Sequence, residues 1–63
     1  MNLRLKLAIL EKFPVQADFA KRIGVSETIL SRIITERREA SAELRERIAK
    51  ELGAEVGEIF PGQ

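Results

Sequence analysis

Gln16-Ala-Asp-Phe-Ala-Lys-Arg-Ile-Gly-Val-Ser-Glu-Thr-Ile-Leu-Ser-Arg-Ile-Ile-Thr35 is the stretch that decides how this chain folds. Phe19, Ala20 and Ile23 recur at the spacing of one helix face, and Gly24 follows as a natural left-handed stop, so the segment from Gln16 to Ile23 reads as a helix. Val15 has no side-chain acceptor for the N-cap site, although Asp18 in the first turn suits the helix dipole. Ser26 is a conventional N-cap for the next segment. There Ile29, Leu30, Ile33 and Ile34 form one apolar stripe, and the helix is expected from Glu27 to about Thr35.

Two short helices joined by Gly24, Val25 and Ser26 meet the description of a helix-turn-helix, in which a tight glycine-containing turn sets the second helix across the first. The spacing is specific. Phe19, Ile23, Val25, Leu30 and Ile33 fill the angle between the helices, Ala20 is small enough to let them approach, and Gly24 takes a positive φ.

On the N-terminal side, Leu3, Leu5 and Leu7 alternate with Arg4 and Lys6 as in a strand, but Leu3, Leu7 and Leu10, then Ile9 and Phe13, follow helical spacing. Asn2 is an N-cap and Pro14 ends the segment, which reads as a core-packing helix over Asn2 to Phe13. On the C-terminal side, Ser41 caps a fourth helix with Leu44, Ile48, Ala49 and Leu52 on one face, closed by Gly53; Glu43 and Lys50 suit its dipole. A short last helix from Glu55 to Phe60 offers Val56, Ile59 and Phe60 for packing before Pro61. The expected fold is all-α: five helices in one small domain over residues 1–63.

Composition narrows the function. The 63 residues are 44% hydrophobic and 33% charged, with four glycines and two prolines, which places the chain among globular rather than disordered sequences. A domain this small buries only about 60% of its unfolded surface. Cysteine and histidine are absent, so neither a disulfide nor a Cys/His metal site supplements the core. The same absences leave catalysis poorly supplied, and no glycine-rich phosphate loop is present; no enzyme, metal, cofactor or small-molecule ligand is expected. The longest apolar run, Leu7 to Leu10, is far below the ~20 residues of a membrane span, so a cytoplasmic protein without membrane contact is expected.

The net charge of +1 conceals an asymmetry. Residues 1–38 carry eight basic and four acidic side chains, net +4, and residues 39–63 three and six, net −3. Such segregation suits a basic surface facing an anionic partner. The three aromatics, Phe13, Phe19 and Phe60, occupy core positions, which leaves no stacking platform for single strands and favours duplex DNA.

Gln16-Ala-Asp-Phe-Ala-Lys-Arg-Ile-Gly-Val-Ser26 followed by Leu30-Ser-Arg-Ile33 resembles the Cro and repressor (XRE-type) helix-turn-helix family of bacterial and phage regulators. Leu44-Arg-Glu-Arg-Ile-Ala-Lys-Glu-Leu-Gly53 and Glu58-Ile-Phe-Pro61 resemble its fourth and fifth helices, so the likeness spans nearly the whole chain. The resemblance implies a five-helix domain whose third helix enters the DNA major groove, commonly as a dimer on a palindromic operator. The family usually has Ser or Thr where Val15 stands, often Asn-Gly at Thr35-Glu36 and frequently Pro at Ala40. The missing glycine bears on where the third helix ends, and Glu36 adds negative charge there, which Arg37 and Arg38 offset.

Helix 3 leaves Glu27, Thr28, Ser31, Arg32 and Thr35 off its apolar stripe, and its N-terminal end reaches base edges in this motif. Arg32 is the strongest base-reading candidate because a guanidinium pairs bidentately with guanine; Thr28 suits a base or a thymine methyl, and Glu27 a cytosine amine or simply the helix dipole. Gln16, Ser31, Arg37 and Arg38 are the phosphate-binding candidates, whereas Lys21 and Arg22 read as solvated. A homodimer on DNA would use exposed parts of helix 1 or the last helix, where Val56, Ile59 and Phe60 are the candidate contacts. The function expected is repression by occupying promoter DNA. The alternative is a protein-interaction module, an antitoxin or adaptor, using the acidic fourth and fifth helices.

Overall fold

A computed structural model of the chain describes residues 1–62, so the expected domain extends past them only at Gln63. Among the described residues there are five helices: α1 (Leu3–Lys12), α2 (Gln16–Ile23), α3 (Glu27–Ile34), α4 (Ala42–Leu52) and α5 (Val56–Ile59). The caps are those the residue types dictate. Asn2 Oδ1 accepts from Leu5 N, Ser26 Oγ from Ile29 N and Ser41 Oγ from Leu44 N, each at 3.1 Å. Val15 makes no side-chain cap bond. α5, shorter than the segment from Glu55 to Phe60, starts where Glu55 N donates to Glu58 Oε1 at 3.1 Å and Glu58 N donates to the Glu55 carbonyl at 3.0 Å.

Three helices end in the same way. Val25 N donates to Ala20 O and Gly24 N to Lys21 O, a pattern repeated by Ala54 and Gly53 at the end of α4 and by Arg37 and Glu36 at the end of α3. The motif needs one residue at positive φ. Gly24 (φ 78°) and Gly53 (φ 67°) adopt it freely, but after α3 the position falls to Glu36 (φ 64°). The absence of glycine at this position has therefore not abolished the turn. α3 stops at Ile34 with Thr35 as its C-cap, and the reversal places strain on a glutamate.

The core gathers Phe19, Ala20 and Ile23 from α2, Leu30, Ile33 and Ile34 from α3, Ile48, Ala49 and Leu52 from α4, and Ile59 and Phe60 from the C-terminal segment. Ile29, expected in the α3 stripe, is half-buried and packs at the core's edge. Ala40, where the family often has proline, is buried in the α3–α4 connection. Phe13 closes the end of α1 over Phe19, with ring centroids 5.0 Å apart in a tilted arrangement.

α1 differs from expectation. Its buried side chains are Leu5 and Ile9, while Leu3, Leu7 and Leu10 are 56%, 52% and 42% exposed. α1 touches each of the other four helices. The face that meets them is set by their arrangement, and Leu5 and Ile9 with half-buried Ala8 and Phe13 fit it. α1 is also fastened by polar bonds: Asn2 N donates to Ile34 O at 2.7 Å and Asn2 Nδ2 to Ile59 O at 2.6 Å.

Candidate nucleic-acid interface

α3 is held chiefly by α2 and α1, which leaves its other side to solvent. Burial of Leu30, Ile33 and Ile34 orients the helix, and Ser26 fixes its entry. Glu27, Thr28, Ser31 and Arg32 consequently project outward, all exposed. The turn after α3 folds the chain back, so that Gln16, Glu27, Thr28, Ser31, Arg32, Thr35 and Arg37 line a single open concavity.

Six of the seven residues singled out from the sequence are thus brought together, from the start of α2, the outer face of α3 and the turn beyond it. Arg38 is not among them. It lines a separate concavity with Arg4, Glu36, Glu39 and Ala40, because the left-handed turn at Glu36 sends Arg37 and Arg38 to different sides. Thr35 joins the first concavity although it had no assigned role. Its hydroxyl donates to Ser31 O at 3.0 Å and to Arg32 O at 3.3 Å, so it is committed to the end of α3. Its place off the apolar stripe was the signal that could have found it.

Electrostatics favour an anion in the first concavity. Among the described residues, the ion pairs join the Met1 amino group to Glu36 Oε1 at 3.1 Å and Arg22 Nε to Glu51 Oε2 at 3.0 Å. Arg32 and Arg37 take part in neither. Arg22, expected to be solvated, is exposed but paired with α4. Glu36, the carboxylate nearest in sequence to Arg37, faces the chain's own amino terminus, which offsets part of its charge. Glu27 occupies the first turn of α3, where the dipole favours it.

The candidate dimer contacts need correction. Ile59 and Phe60 are each 3% exposed and belong to the core, and Val56 is half-buried against it. α1 and α4 pack over α5 and consume that apolar surface, so Ile59 and Phe60 have no face left for a second chain.

A family model described as helix-turn-helix matches residues 16–59, from the first residue of α2 to the last of α5. No curated protein and no solved structure matches the chain. No helix among the described residues is long and apolar enough to cross a membrane. With most of its length matched and a Gly24-centred turn holding α3 across α2, the chain belongs to the DNA-binding helix-turn-helix family of the Cro and repressor (XRE) type.

Proposed function

We propose that the protein is a sequence-specific transcriptional regulator that represses by occupying promoter DNA, with α3 in the major groove. The observation that carries this reading is the open concavity in which Gln16, Glu27, Thr28, Ser31, Arg32 and Arg37 meet with the two guanidinium groups in no ion pair among the described residues. Arg32 reads a base, guanine by preference, with Thr28 and Glu27 beside it at the N-terminal end of α3. Gln16 at the start of α2, Ser31 and Arg37 hold phosphates and so set register without reading sequence; Arg38 approaches the backbone from its separate side. Two copies bind a palindromic site with half-sites about 34 Å apart.

Selection from a random duplex library followed by binding measurements across salt concentrations tests this reading. A recovered consensus, with affinity falling steeply between about 50 and 200 mM salt, is the expected result. Enrichment of no sequence, or an affinity indifferent to salt, would overturn it.

A further inference from the structure

The large hydrophobic side chains exposed among the described residues are Met1, Leu3, Leu7, Leu10 and Val15, so all of them lie in the N-terminal quarter of the chain, on α1 or immediately flanking it. At about 100° of rotation per residue, Leu3, Leu7 and Leu10 fall within about 60° of one another, on the side of α1 away from Leu5 and Ile9. Scattered single hydrophobics on a surface are ordinary, but a stripe along one helix face marks an interaction site. None of the three leucines lines the concavity that holds Arg32, and of the three only Leu3 borders the one that holds Arg38.

Charge identifies the occupant. Arg4 and Glu11, both exposed, flank the stripe on the same side and are separated by two helical turns. When two such helices pack antiparallel through Leu7, the flank of one meets the same flank of the other. Arg4 then faces Glu11 of the second copy and Glu11 faces its Arg4. A two-fold interface must be self-complementary, and opposite charges placed about one turn to either side of Leu7 meet that condition. Lys6 is half-buried and lies on the other flank of the stripe.

We propose that α1 is the homodimer interface, two copies pairing antiparallel through Leu3, Leu7 and Leu10 with reciprocal Arg4–Glu11 ion pairs. This deepens the dimeric element of the function proposed above but does not rest on DNA binding. α1 has ten residues, about 15 Å of helix, so the contact falls short of the ~800 Å² per partner of a standard stable interface. The dimer is accordingly weak in free solution, with a Kd on the order of 10–100 μM.

Sedimentation equilibrium of the full chain without DNA, over roughly 5–300 μM to bracket that Kd, tests the interface even if the DNA reading fails. The expected result is a monomer–dimer equilibrium that Leu7→Glu weakens at least tenfold while helicity by circular dichroism is retained. Arg4→Glu and Glu11→Arg each weaken self-association, and an equimolar mixture of the R4E and E11R chains restores it, because opposite charges then face each other across the heterodimer. A wild-type chain that stays monomeric throughout, a dimer that survives Leu7→Glu, or a mixture no more associated than its components overturns the proposal. Binding of the monomeric chain to anionic phospholipid vesicles, abolished by Leu7→Glu, would assign the stripe to a lipid surface and overturn it equally.

Discussion

The carboxamide of Asn2 donates to the carbonyl of Ile59 at 2.6 Å, joining residues 57 positions apart in the chain. Its oxygen caps α1 at Leu5 N, and its own backbone N–H is bound to Ile34 O at the end of α3. One residue thus caps α1 and ties it to α3 and α5. Asn2→Ala removes the cap and leaves the Ile59 carbonyl without its donor, for an expected loss of about 2 kcal/mol in urea unfolding. Asn2→Ser keeps a cap acceptor but is too short to reach Ile59, and its loss should be about half as large. Equal losses would show that the link to α5 contributes nothing.

Glu36 takes the left-handed position that glycine occupies after α2 and α4, with φ 64°. Glu36→Gly should relieve that strain at the cost of an exposed ion pair with Met1, itself worth about 0–1 kcal/mol. A net gain of up to about 1 kcal/mol is expected, visible as a Tm rise of about 4–8 °C at the upper end. Glu36→Ala, which loses the ion pair and keeps the strain, should show no gain.

Gly57 lies inside α5 without a positive φ, and a Cβ there would meet nothing within 4 Å. Gly57→Ala should stabilise the domain by about 0.5–1 kcal/mol, chiefly by restricting the unfolded chain. Gly24→Ala should do the reverse. Its added Cβ would lie 3.6 Å from Arg47 Nη1, an ordinary contact, so the cost of about 1–2 kcal/mol arises from φ +78° rather than from crowding. Thermal melts of the two variants should shift in opposite directions.

In the proposed complex, Arg32→Ala relaxes the preference at one base pair, worth about 1–3 kcal/mol of discrimination, and leaves binding to unrelated duplexes little changed. Arg37→Ala and Arg38→Ala weaken binding to all duplexes alike and each lower the salt slope by about one. Arg37 shares the concavity of Arg32 and Arg38 does not, so the Arg37 substitution should have the larger effect. Repeating the library selection with each variant checks all three, and an unaltered consensus after Arg32→Ala would remove that residue from base reading.

Much of this molecule is determined locally and was therefore legible in its sequence. The turn between α2 and α3 depends on a glycine at positive φ, a small Ala20 and apolar side chains at given spacings, and each demand is met by a residue type at a position. The caps at Asn2, Ser26 and Ser41 follow from side-chain chemistry one turn away. The outward residues of α3 follow by subtraction from its single apolar stripe. Arg38 escaped that logic because the direction of the chain beyond α3 hangs on the backbone angle at Glu36, which residue type alone does not reveal.

α1 marks the boundary between local and global determination. It carries two apolar sets at helical spacing, Leu3 with Leu7 and Leu10, and Leu5 with Ile9, and helix periodicity favours neither. Only the assembled helices choose, because α2, α3, α4 and α5 all meet α1 on one side and that side holds Leu5 and Ile9. The same packing encloses Ile59 and Phe60 and leaves the leucine stripe outside. Which helices form and how α3 crosses α2 depend on contacts within a few turns and so follow from residue types at their positions; which apolar face each helix buries depends on every neighbour at once, because burial belongs to the whole assembly.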